Sequence, residues 1–220
     1  MTEIGQILLL SLWIAACSTV LVVIIGIALS YLFVFSDSRK WLWLDTLVAI
    51  PLVLPPTVVG FLLIYLLGKR GPLGVLLEHF FGITLLFTWQ AAVIAALVVS
   101  LPLMIRVTRS GFLAVDRELI LASQSLGKSS WISFRRIIMP LARNSIVAGA
   151  LLSFTRALGE FGATLMVAGN IPGKTATLSL SIYTAFESGD MPSAWIMALL
   201  LTTIAVFAMV ATHLLTRSRW

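Results

Sequence analysis

Arg156 and Glu160 stand four residues apart in FTRALGEFGAT, inside a run that is otherwise apolar or small. A guanidinium there can attract an oxyanion, and a carboxylate one helical turn away can neutralise it and keep the site from becoming a trap. Two readings are open: a pair that fixes helix packing, or a pair that lines or gates a path. Acid/base catalysis by Glu160 or a histidine would need convergent titratable groups, and His79 and His213 lie far apart at the edges of apolar runs. Cys17 is the lone cysteine, so neither an intrachain disulfide nor a metal cluster is expected. There is no GxxxxGK[ST] phosphate loop, so the chain is not expected to hydrolyse ATP, and no cofactor is implied.

The elements that must position these charges are themselves unusual. Gly149, Gly159, Gly162 and Gly169, with Ala157 and Ala163, make the segment around the pair one that other helices can approach closely. A helix starting near Ala142 would carry Arg156 about 21 Å and Glu160 about 27 Å along its axis, on one face and outward of the membrane centre. A charge at the bilayer centre costs at least ~2.5 kcal/mol on insertion scales, so both must face protein or water. Earlier in the chain, Pro51, Pro55 and Pro56 each remove a backbone donor and disfavour helix just before them, with Gly60 close behind. Such breaks are tolerated at membrane depth where protein or a water-filled cavity satisfies the backbone. They read as a packing kink or as a bend beside a translocation path.

The chain of 220 residues is 60% hydrophobic and 11% charged, with a mean hydropathy of +1.06. These values place it in a membrane. The apolar runs 7–35, 46–68, 83–105, 144–173 and 191–216 each exceed the ~20 residues needed for a helical crossing, giving about five spans in an all-α integral membrane protein. The run 175–186 is too short and reads as an outer interfacial or re-entrant helix. The first run lacks a basic leader and a small-residue cleavage site, so it is expected to be retained. The net charge of +6 is explained by orientation and not by nucleic acid. Arg39, Lys40, the basic residues from Arg106 to Arg143, and Arg217 and Arg219 fall on one side, leaving Lys69, Arg70 and Lys174 on the other. That bias puts the N-terminus outside and the C-terminus in the cytoplasm of a multi-pass plasma (inner) membrane protein.

The largest cytoplasmic loop, residues 115–140, reads VDRELILASQSLGKSSWISFRRIIMP. Asp116 can cap a short helix with Leu119, Ala122 and Leu126 on one stripe, Gly127 can end it, and Ser129 or Ser130 can cap the next. Trp131, Phe134 and Ile138 repeat at the same spacing in that second helix. The pair either lies on anionic lipid or forms a rigid knob that fits a groove on a cytoplasmic partner.

The spacing of Gly127, Ile137 and Pro140 resembles the EAA loop of ABC importer permeases. Further runs carry the resemblance across nearly the whole chain: IPLVLPPTVVGF, GKRGPLG, FGIT, RALGEFGAT and GNIPGKT are similar to those of molybdate transporter permease subunits, with tungstate and sulfate permeases sharing parts. The family's Glu-Ala-Ala would fall on Leu121, Ala122 and Ser123, so its glutamate is missing and Glu118 is the nearest substitute. The resemblance implies a type I importer permease: a single permease domain over 1–220 containing the 115–140 coupling loop. It implies a second copy of the chain, two separate ATP-binding subunits and an extracytoplasmic oxyanion-binding protein. ATPase-coupling residues would be Glu118, Ala122, Gly127, Trp131, Ile137 and Pro140. Path or gate residues would be Arg156, Glu160, Pro55, Pro56 and Gly60. A gradient-driven transporter or channel is the alternative, expected to show broken helices in both halves. Prolines are seen to break only the first half.

Overall fold

A computed structural model describes residues 3–36 and 40–216; Arg39, Arg217 and Arg219, which contribute to the charge bias, lie outside the described residues. Every regular element among the described residues is helical. The helix α1 (Glu3–Phe35) is apolar all round and is long and apolar enough to cross a membrane in one piece, as are α5 (Trp89–Leu113) and α12 (Met191–Thr216). The helices α3 (Pro56–Leu67) and α4 (Pro72–Phe81) form a pair bent by 45°. The α9 helix (Arg143–Leu158) is bent by 70° from the short stretch Ser130–Leu141 before it. Counting each bent pair as one crossing gives up to 5 spans.

Three expected spans change shape. The run 46–68 is not one kinked helix: α2 (Lys40–Val53) stops before Pro55 and Pro56, and Pro56 starts α3, where its missing donor costs nothing. The run 83–105 begins as irregular chain, because Phe87 adopts φ 61° and Thr88 then caps Ala91 N to start α5. That helix continues past Ile105 and carries Arg106 and Arg109 within it. The run 144–173 is split into α9 and α10 (Gly162–Ala168) by residues 159–161.

The core lies where α1, α5 and α9 meet. Ala15, Ala91, Ala92, Ala95 and Ala96 are wholly or almost wholly buried, and small side chains are what allow helices to approach when lipid offers no hydrophobic incentive to associate. A Cβ on Gly26 of α1 would lie 2.5 Å from Met104 Cγ, and one on Gly149 of α9 would lie 2.8 Å from Met104 Sδ. One flexible side chain of α5 therefore fills both glycine notches. Hydroxyls cross the same seam: Ser30 Oγ donates to Ile105 O at 3.3 Å, and Ser153 Oγ to Ser100 O at 3.5 Å. Each such bond contributes on the order of 0.6 kcal/mol in a membrane.

The run 175–186, expected as a short outer helix, contributes α11 (Leu178–Glu187), followed after a glycine turn by α12. Asp190 Oδ1 accepts from Ser193 N at 3.2 Å at the start of α12, and the hydrogen bonds from Ser193 hold its carboxyl below the usual range.

Candidate functional site

The break at 159–161 gathers the charges. Glu160 lies beyond the end of α9, so the two charges do not share one continuous helix as their spacing suggests. They meet all the same: Arg156 Nη1 stands 2.7 Å from Glu160 Oε2. The other carboxylate oxygen, Oε1, accepts from Ala163 N at 2.9 Å, in the first turn of α10. One buried carboxylate thus bridges the break, satisfying a guanidinium on one helix and an orphan amide on the next. The pair is asymmetric: the Arg156 side chain is 34% exposed and that of Glu160 only 2%. The cation is the half that another anion could reach.

The second break lies against the first. A Cβ on Gly162 would come within 2.9 Å of Pro56 Cβ, and one on Gly60 within 2.6 Å of Met166 Cβ and 3.0 Å of Ala163 Cα. The helices α3 and α10 are interlocked at these points, so Pro56, Gly60, Ala163 and Glu160 form one constellation, with Pro55 capping α3 just before it. Two halves of the chain therefore each contribute a broken helix. The proline pattern alone missed the second break because its residues are glycine, glutamate and phenylalanine. The criterion set for a gradient-driven transporter is met, so the breaks do not separate that reading from an ATP-driven one.

At the other end, α6 (Arg117–Ser125) and α7 (Ser130–Ser133) form a hairpin. Asp116 Oδ1 accepts from Glu118 N at 2.9 Å, Gly127 turns the chain at φ 75°, and Ser129 Oγ accepts from Ile132 N at 3.4 Å. A buried hydroxyl pair, Ser123 and Ser133 at 2.9 Å, clamps the two helices. The apolar stripe of α6 faces the opposite way from a core stripe: Leu119, Ala122 and Leu126 are exposed, and Ser123 is buried instead. The second stripe is divided, because the chain winds as a π-helical turn over Phe134–Ile138 before α8 (Met139–Leu141). Phe134 and Ile138 are buried while Trp131 is 66% exposed. Phe134 packs edge-on against Tyr31 of α1 at 4.7 Å and Phe112 of α5 at 5.9 Å. Among the coupling candidates, Glu118, Ala122, Gly127, Trp131 and Pro140 are exposed and Ile137 is half-buried.

Sequence reasoning left out an ion pair that ties α2 to α5, Arg109 Nη1 to Asp45 Oδ2 at 2.6 Å. Its signal was present: Asp45 is one of only two acids between Glu3 and Glu78, the other being Asp37.

Residues 22–220 match the family model described as the binding-protein-dependent transport system inner membrane component. ModB of Escherichia coli strain K12, a molybdenum transport system permease protein, is 41% identical over 183 residues, covering 83% of this chain and 80% of its own. ModB of Azotobacter vinelandii, of the same description, is 34% identical over 208 residues, covering 93% and 92%. A crystal structure of a bacterial alginate ABC transporter in complex with alginate pentasaccharide-bound periplasmic protein has the same fold, with TM-score 0.78 at 16% identity, covering 100% of this chain and 82% of that one.

Proposed function

The chain belongs to the family of binding-protein-dependent transport system inner membrane components, and from that premise we propose that it is the permease of an ATP-driven importer whose cargo is molybdate. It is a non-catalytic membrane subunit with the ABC importer permease fold. The cargo assignment rests on the molybdenum permeases it resembles at 34% to 41% identity; tungstate or sulfate is the second reading, since tetrahedral dianions of one charge offer the same chemistry to a guanidinium.

In this reading two copies form the path and the single permease domain covers residues 1–220. The N-terminus lies outside and the C-terminus in the cytoplasm, in keeping with the positive-inside bias. Two separate ATP-binding subunits hydrolyse ATP and dock on the 115–140 hairpin, and an extracytoplasmic binding protein delivers the anion. The observation that carries the docking role is the outward apolar stripe: Leu119, Leu126 and Trp131 are exposed on a loop rich in charge, uncovered by this chain. Glu118, Ala122, Gly127, Ile137 and Pro140 flank or shape that surface. Its root in Tyr31 and Phe112 through Phe134 supplies a stiff link by which a push on the hairpin reaches α1 and α5. Energy then enters as a bias between inward-facing and outward-facing arrangements.

Pro55, Pro56, Gly60, Arg156 and Glu160 line or gate the path. Arg156, the partly exposed half of the pair, attracts the passing dianion. Glu160 competes for the same guanidinium, so the anion is held weakly enough to leave.

The test is uptake by proteoliposomes holding the complete transporter, with molybdate, tungstate and sulfate in competition. Molybdate uptake that requires ATP and is displaced poorly by sulfate is expected. Uptake indifferent to ATP would restore the gradient-driven alternative. Gly127→Trp cannot adopt the left-handed turn without strain, and the folded variant is expected to lose its ATP-binding subunits on purification. Unchanged co-purification counts against the docking role.

A further inference from the structure

The outer helix α11 holds both sides of the break. Ser179 Oγ donates to Leu158 O at 3.3 Å, and Leu158 is the last residue of α9, where carbonyls lack intrahelical donors. The Phe161 ring, directly after Glu160, lies 5.3 Å from the Tyr183 ring at 58°. Asn170 Nδ2 donates to Thr184 Oγ1 at 2.6 Å, tying down the chain that leaves α10. The helix is anchored at its own start on α1, where Ser11 Oγ accepts from Leu178 N at 2.8 Å. The Tyr183 hydroxyl is spent within α11, donating to Glu187 Oε1 at 2.5 Å. That bond and the neighbouring negative charge push the phenol pKa up. Only the ring is left to act on the break.

Two features leave room for this contact to open. A Cβ on Gly159 would meet nothing nearer than 3.6 Å, in contrast to the tight notches at Gly60 and Gly162. Phe161 and Tyr183 also border an apolar groove of about 520 Å³, walled by Ile182, Phe186, Ala194 and Trp195, into which a ring can turn.

We propose that α11 is a latch on the break: Ser179 and Tyr183 are positioning residues that hold the end of α9 and Phe161 so that Glu160 stays between Arg156 and Ala163, and this latch opens in every transport cycle. The inference rests on reading the break as part of the path. It gives the outer segment the task of controlling the charge pair from outside.

The experiment uses the complete transporter in proteoliposomes, with Cys17→Ser removing the chain's single cysteine and Phe161→Cys with Tyr183→Cys replacing the stacked rings. A reducible bis-thiosulfonate reagent long enough to span the space of the two rings is expected to cross-link the pair and stop molybdate uptake, and reduction to restore it. Import by the cross-linked form at the reduced rate, or failure of the pair to cross-link, overturns the latch. If the reduced double variant is itself inactive, Tyr183→Phe and Tyr183→Leu decide. Uptake kept by Phe and lost by Leu, with both variants assembled, supports the ring's role; equal uptake by the two overturns it. Failure of the path reading is separately visible, because Arg156→Gln with Glu160→Gln would then import normally whatever the cross-link does.

Discussion

Glu160 is the residue with the most obligations. Removing its side chain by Glu160→Ala leaves the Ala163 amide without its acceptor and the partly exposed Arg156 guanidinium without its partner, and the orphaned amide alone costs about 1–3 kcal/mol. Lower assembled yield and a lower Tm in detergent are expected. The double change Arg156→Gln with Glu160→Gln keeps a hydrogen-bonding side chain at each position without charge. It is expected to recover assembly but not molybdate uptake; recovery of both would leave the pair with a packing role only. The glycines give a sharper contrast. Gly162→Ala drives a Cβ to 2.9 Å from Pro56 Cβ, a ring atom held by its own backbone, and overpacking of that kind costs about 1–3 kcal/mol. Gly159→Ala meets only ordinary contacts at 3.6 Å, so its Tm is expected to stay close to that of the parent while that of Gly162→Ala falls.

At the level of elements, the α6–α7 hairpin depends on one polar clamp. Ser133→Ala leaves the Ser123 hydroxyl buried without its partner, a penalty of about 1–3 kcal/mol spent on a small unit. Weaker retention of ATP-binding subunits is expected with the membrane bundle intact, and replacing Ser123 and Ser133 together with Ala is expected to be milder than Ser133→Ala alone. The Asp45–Arg109 pair is different in kind. Both side chains are about a third exposed, solvent screens the pair, and its contribution is on the order of 0–1 kcal/mol. The sequence made the spans legible because hydropathy integrates over ~20 residues, and it made the caps legible because Asp116, Ser129 and Gly127 act locally. It hid the break at 159–161, since Gly159 and Phe161 read as part of an apolar run and Glu160 reads as a helical partner of Arg156. It also hid the facing of α6: periodicity reveals that a stripe exists, while only tertiary packing decides whether Leu119, Ala122 and Leu126 turn towards this chain or away from it.

Across the whole molecule, the interlock of α3 with α10 joins the proline break of the first half to the charged break of the second, so a displacement of either is passed to the other. The hairpin at one end and α11 at the other therefore act on a bundle whose middle is already coupled. Met104 shows how far that coupling extends. Because a single thioether fills the notches of Gly26 and Gly149, the two positions compete for one volume. Gly26→Ala and Gly149→Ala, each made with Met104 present, are expected to depart from additivity, as contacting residues do by about 0.5–3 kcal/mol. A smaller residue at position 104 is expected to relieve both. In a lineage of such chains, positions 26, 104 and 149 would then drift as a triplet, each change permitted only by the state of the other two.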